Sequence, residues 1–343
     1  MTAAILYGRE DLRIEEIPYQ PLGRGELRVR VEAALTCGTD LKVYRRGYHA
    51  KMLKPPSVFG HEYAGVIEEL GPEVSGWALG DRVVGANSAP CGECFYCRHE
   101  QENLCDDLQF INGAYSQSMV IPQRFVQKNL LRLKTATSFR DAALTEPLAC
   151  VVQGCLDLRL LRGERVLVLG AGPIGLMFVA LARDAGCEVS IAGRGAERIA
   201  AAKRLGALEV FDLAQEPDVL AAVKTNSTRP FDVVVEAVGK PETWDQAIRL
   251  VRKGGRVNLF GGCPVGTTVA VDTGLVHYSA LTLLASFHHT PRAIRRALEL
   301  IEIGVVKADD FVTGTAPLSE LPALFREMAL GNRAVKTCID VRG

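Results

Sequence analysis

Apolar and polar positions follow two different periods along this chain, and the change from one to the other divides it. Through residues 1–145 the pattern is that of short strands and turns. Residues 27–33 read Leu-Arg-Val-Arg-Val-Glu-Ala, a strand with one buried face, and residues 62–70 and 81–86 alternate similarly between breaks set by Gly65, Gly71, Gly76 and Gly80. From Arg165 the texture changes. An apolar run at 165–169 predicts a buried strand, and an Ala/Leu-rich helix extends from the glycines at 170–175 to Gly186. Strands at 188–192, 232–236, 255–259 and 281–285 are interleaved with helices at 196–205 and 243–251. This alternation predicts an α/β domain built on a doubly wound parallel sheet. A helix at 291–303, another at 321–330 and a last strand at 335–341 complete the pattern, with no internal repeat or low-complexity tract.

A chain of 343 residues is long enough for two cores. Lysine plus arginine balance aspartate plus glutamate at 40 each, which removes the basic surplus that a nucleic-acid partner requires. The N-terminus lacks the charged and apolar runs of a signal peptide, and no apolar stretch is long enough to span a bilayer, so a soluble cytoplasmic protein is expected. Ten cysteines in such a compartment point to metal or catalysis rather than disulfides. Cys150, Cys155, Cys187, Cys263 and Cys338 are scattered among apolar neighbours and read as small buried hydrophobes.

The other cysteines include a cluster. Cys91, Cys94, Cys97 and Cys105 are separated by two, two and seven residues. Three thiolates so close in sequence can surround one tetrahedral ion while the loop returns with the fourth, and Gly92 permits the tight path. A closed structural zinc site is expected. An iron–sulfur cluster is the rival for four cysteines, and a zinc knuckle for nucleic acid is disfavoured by flanks poor in basic residues.

Gly170-Ala171-Gly172-Pro173-Ile174-Gly175 follows a predicted strand and opens a predicted helix, the context in which a Gly-x-Gly-x-x-Gly motif binds a dinucleotide. Gly170 allows the turn, Gly172 lets backbone approach the pyrophosphate, and Gly175 lets helix pack on strand, with the helix N-terminus facing the negative charge. About 20 residues on, where an acid would hold the ribose 2′-hydroxyl of NAD, the chain reads Ala192-Gly193-Arg194-Gly195, with Arg198 one turn later. Gly193 is expected to leave room and Arg194 to pair with a 2′-phosphate. The reading leans to NADP with NAD still open.

Three separated fragments supply a thiolate, an imidazole and a carboxylate: Cys37-Gly38-Thr39-Asp40, Gly60-His61-Glu62 and Thr145-Glu146-Pro147. Together with Gly65, Gly71 and Val74, the Gly60-His61-Glu62 fragment resembles the zinc signature of the medium-chain dehydrogenase/reductase family, and the cysteine cluster and glycine loop follow in that family's order across essentially the whole chain. Glu146-Pro147-Leu148-Ala149 is similar to its polyol dehydrogenase branch. The resemblance implies a GroES-like catalytic domain over residues 1–145 and 290–343, a Rossmann domain over 146–289, and a homodimer or homotetramer.

It further implies that Cys37 and His61 are catalytic zinc ligands, that Glu62 binds the metal or a bound water, and that Glu146 supplies the remaining ligand or a base behind it. Thr39 would touch the substrate alcohol and Asp40 would orient the ligand histidine. The activity implied is hydride transfer from a secondary alcohol, polyol or sugar-like, to NAD(P), giving a ketone. Two positions depart from the pattern: Lys42 replaces a relay histidine, and Phe287-His288-His289 stands where sorbitol dehydrogenases usually present an Arg-Tyr pair. Either histidine could contact a hydroxylated small-molecule substrate or lie on the surface. An amino-alcohol or threonine-type dehydrogenase and a catalytically silent cofactor binder are the competing readings.

Overall fold

The alternating stretch near residue 30 becomes the central strand of the first unit, Leu27–Leu35, with burial alternating where one face meets the core. In the computed structural model, which describes residues 1–49, 51–227, 229–331 and 334–342, the chain forms two compact units: Met1–Ala149 with His289–Gly343, and Cys150–His288. The divisions lie four residues and one residue from those the family pattern implied, and they place Glu146 and His289 in the first unit.

The principal sheet of the first unit runs Leu130–Arg132, Arg82–Gly85, Glu62–Leu70, Leu27–Leu35, Lys336–Asp340, Val312–Pro317, and Ser118–Ile121 also pairs with Leu27–Leu35. Its register matters for the site. Leu35 lies opposite Glu62 on one side and Cys338 on the other, so the ends of two strands meet beside Lys336–Asp340 where the chain leaves toward Thr36 and Cys37. A core of aromatic rings underlies this corner. Phe59, Tyr115 and Phe325 stack edge-on or tilted at centroid separations of 5.5 to 6.1 Å, in the range aromatic pairs favour.

Helices here exceed expectation. Gly38–Arg46 is an α-helix ended by Gly47 at φ +85°, its buried face formed by Asp40, Leu41, Val43 and Tyr44. Thr145–Leu158 is a 14-residue helix whose first turn contains Glu146. Pro147 fits there because the missing N–H would be unpaired in a first turn.

The second unit is a six-stranded, all-parallel sheet ordered Glu209–Asp212, Glu188–Gly193, Arg165–Leu169, Phe231–Glu236, Val251–Leu259, Thr282–Leu284. Numbered along the chain this is 3-2-1-4-5-6, the doubly wound order in which a ligand crevice opens beyond the carboxyl ends of strands 1 and 4. Arg165–Leu169 is buried at every residue, as a strand covered on both faces must be. Among the described residues no helix is long and apolar enough to cross a membrane. Of the five scattered cysteines only Cys187 is buried, the other four being partly exposed.

Candidate active site

Cys37 is the N-cap of helix Gly38–Arg46. Its extended backbone turns the thiol back so that Sγ accepts the Thr39 amide at 3.4 Å. One turn along, Asp40 is fully buried; its Oδ1 lies 2.8 Å from His61 Nδ1, and its Oδ2 accepts the Tyr115 hydroxyl at 2.7 Å. Gly60, at φ +87°, brings His61 into this cage. A side chain there would meet the Tyr115 ring at 2.6 Å, so only glycine fits both the backbone angle and the packing. With Asp40 on Nδ1, His61 Nε2 faces away, the arrangement that fixes the tautomer of a metal-binding imidazole. Burial acts to lower the His61 pKa, yet Asp40 and Cys37 carry it well above its ordinary value.

The Sγ of Cys37, one nitrogen of His61 and one oxygen of Glu62 lie within 4.8 Å of one another. Glu146 joins from its helix, with Oε2 4.0 Å from His61 Nε2. Behind them sits Lys336, 2 % exposed, which donates to Glu62 Oε1 at 2.7 Å, to Glu62 Oε2 and to the Thr36 carbonyl at 2.9 Å. Burial pushes the Glu62 carboxyl up to about 7 against the pull of Lys336. A soft thiolate, an imidazole and carboxylates in one buried corner form a donor set suited to zinc. Thr39 is half-buried beside Cys37, whereas Lys42 points to solvent from the same helix.

His289 is buried, 2 % exposed, so placement of this histidine at the surface is overturned. Its Nε2 lies 3.5 Å from Glu146 Oε1 and 3.3 Å from Asn87 Oδ1. Phe287 is 54 % exposed and His288 is partly exposed.

The four clustered cysteines converge as well. Sulfur separations are 3.8 Å for Cys91 and Cys97, 3.9 Å for Cys94 and Cys105, and 3.5 Å for Cys91 and Cys105. Thiolates about 2.3 Å from a tetrahedral ion would lie about 3.8 Å apart. Backbone amides of Glu93 and Cys94 point at Cys91 Sγ, and that of Gly92 at Cys97 Sγ, as anionic sulfur requires. Backbone donors from Cys97 and Asp106 bring the Cys94 thiol down to about 6, while burial pushes Cys97 up to about 12.

In the second unit Gly170, at φ +112°, turns the chain from strand Arg165–Leu169 toward helix Pro173–Asp184. Gly175 packs so closely that a Cβ would lie 1.8 Å from the Gly170 carbonyl oxygen, whereas nothing stands within 4 Å of the Cβ position at Gly172, the helix N-cap. The open side, the helix N-terminus with Pro173 and Ile174 in its first turn, and the crevice position together suit a pyrophosphate. Fully buried Glu236 accepts the amides of Val238 at 2.8 Å and Gly239 at 2.9 Å, fixing the turn that borders Gly170. Arg194 is exposed and Arg198 partly buried around Gly195. A Cβ at Gly193 would meet Ala171 Cβ at 2.3 Å, so its smallness serves close contact with the glycine loop.

Residues 23–130 match the alcohol dehydrogenase GroES-like domain, and residues 173–302 match the zinc-binding dehydrogenase domain. Sorbitol dehydrogenase of Bacillus subtilis is 28 % identical over 348 residues, covering 99 % of this chain and 97 % of that protein. L-threonine 3-dehydrogenase of Aeromonas hydrophila is 32 % identical over 272 residues, 78 % of each. The chain belongs to the zinc-containing medium-chain dehydrogenase/reductase family. A Sinorhizobium meliloti structure bound to NADP superimposes on this dehydrogenase with a TM-score of 0.89 at 28 % identity, covering 98 % of both chains. The protein is therefore an oxidoreductase of a fold that uses zinc and a nicotinamide dinucleotide.

Three participants in the dehydrogenase site escape a reading of its sequence as a site: Tyr115, Asn87 and Lys336. Lys336 alone leaves a trace, a charge at the head of the largely buried strand Lys336–Asp340.

Proposed function

We propose that this dehydrogenase interconverts a secondary alcohol, polyol or sugar-like, and the corresponding ketone. The reading rests on one observation: Cys37, His61 and Glu62 offer ligand atoms within 4.8 Å of one another, and Glu146 reaches the same imidazole. Cys37, His61 and Glu146 would hold a catalytic zinc, and Cys91, Cys94, Cys97 and Cys105 a closed structural one. When bound, zinc supplies Lewis acidity that makes a hydroxyl easier to deprotonate, and nicotinamide supplies the hydride acceptor. Glu62, with both oxygens engaged by Lys336, would bind the metal or stand behind it, and Glu146 is the second carboxylate at the same imidazole. Asp40 holds the His61 tautomer, and the Thr39 hydroxyl takes the first step of the proton's exit.

Similarity to sorbitol dehydrogenase over 99 % of this chain supports a polyol; threonine dehydrogenase matches, covering up to 93 % of it, support an amino alcohol as the second reading. Assembly as a dimer or tetramer rests on the family resemblance. The test is zinc analysis together with a panel of polyols, simple secondary alcohols and threonine. Two zinc per chain with ketone formed from polyols supports the reading; one zinc, or turnover of threonine alone, refutes it.

NADP is the preferred cofactor in this reading, held by Arg194 and Arg198 around the 2′-phosphate. Charge-assisted hydrogen bonds of this kind contribute about 1.5–3 kcal/mol. Arg194→Ala should therefore weaken NADP binding by about 10- to 100-fold and leave NAD nearly unchanged in fluorescence titrations. Equal losses for both would remove the argument for NADP.

A further inference from the structure

His289 stands directly before Thr290, whose hydroxyl caps helix Pro291–Glu302 by accepting the Ala293 amide at 3.2 Å. The start of that helix fixes the histidine backbone, and burial fixes the ring. Two oxygens face the same ring nitrogen: Glu146 Oε1 at 3.5 Å and Asn87 Oδ1 at 3.3 Å from Nε2. Lone pairs on both sides would repel an unprotonated nitrogen, so Nε2 carries hydrogen and donates. That donor also fixes the Asn87 amide, whose nitrogen turns to Met52 Sδ at 3.7 Å. Asn87 is held in turn by its own backbone carbonyl, which accepts the Ile111 amide at 2.9 Å. The carboxylate of Glu146 is thus divided. One oxygen lies 3.5 Å from His289 Nε2, and the other lies 4.0 Å from His61 Nε2, beside the cluster of Cys37, His61 and Glu62.

We propose that His289, seated on Asn87, is a positioning residue that holds the Glu146 carboxylate at the metal site and so sets the ligand geometry there. The inference rests on the zinc reading given above. A carboxylate on a flexible side chain has several rotamers, and a donor on its rear oxygen selects one. Partners behind metal ligands typically contribute 10- to 100-fold in metal affinity.

The test uses the full-length protein with cobalt(II) in place of zinc, because cobalt absorption reports ligand number and geometry without substrate. Cys37→Ser supplies the blank that isolates the bands of this site from those of the four-cysteine site. Relative to wild type, His289→Ala should shift the bands of this site and speed release of its metal to a chelator by about 10- to 100-fold, leaving the four-cysteine bands unmoved. His289→Gln, which retains an N–H donor, should restore both. If the alanine protein fails to fold, Asn87→Ala carries the test, with an intermediate change in release rate expected. Unchanged bands and release rate in these variants overturn the positioning role. If Cys37→Ser removes no cobalt band, the metal site itself is refuted, a result distinct from failure of the positioning role alone.

Discussion

Cys37→Ser is expected to keep the fold and lose turnover by about a thousandfold or more. The fold should survive because position 37 is a helix N-cap whose side chain already accepts the Thr39 amide, and serine caps helices well. The site should not survive, because the substitution removes the one soft anionic donor from the cluster of Cys37, His61 and Glu62. Metal polarisation of a reacting oxygen contributes several kcal/mol to the transition state, and about 4 kcal/mol corresponds to a factor of about a thousand. Zinc content should fall from two to one per chain while circular dichroism is unchanged. Normal turnover in a folded Cys37→Ser protein would refute the assignment of Cys37 to a catalytic metal.

The elements that were legible in the sequence are those whose patterning is dictated by burial on their own. Strand Glu62–Leu70 declares itself by alternation and strand Arg165–Leu169 by unbroken apolar residues, and both stand at the expected bounds. Helix Gly38–Arg46 is obscured because its buried face includes Asp40, a charge that a pattern reading assigns to solvent. That charge is inside only because His61 and Tyr115, distant in sequence, satisfy it. Helix Thr145–Leu158 is hidden by Pro147, which reads as a break until its first-turn position is known. The edge strands Glu209–Asp212 and Val312–Pro317 are short and take their conformation from the neighbour they pair with.

The same division runs through the site. Cys37, His61 and Glu62 carry recognisable motif and donor chemistry, and their separated fragments point to a metal when read together. The contact between Lys336 and Glu62 spans 274 positions and depends on sheet register. His289 is similar: a histidine after Phe287 and His288 has no period to mark it as inside, and its placement follows from where helix Pro291–Glu302 begins.

Lys336→Met should cost about 3–5 kcal/mol of stability, the usual penalty for leaving a buried charge without its partner. All the hydrogen bonds of the ammonium group lie inside, two to Glu62 and one to the Thr36 carbonyl, so methionine fills the space but strands a carboxylate that is fully buried. The penalty should depend on pH. In the native protein Glu62 is raised from 4.5 to about 7, so the folded state binds its proton more tightly than the unfolded chain. The contribution of this group is therefore present below about 4.5 and lost as pH rises toward 7. Removing Lys336, which pulls the value down, moves the folded value higher still, so the variant goes on losing stability at pH where the parent has levelled off. Urea unfolding at fixed zinc content should show the gap between the two proteins widening from pH 5 to pH 8. Adding Glu62→Gln should recover most of the loss, because the double variant contains no stranded charge. A gap that is constant with pH, or that the second substitution leaves intact, would mean that Lys336 stabilises the tail by packing and that its pairing with Glu62 contributes little.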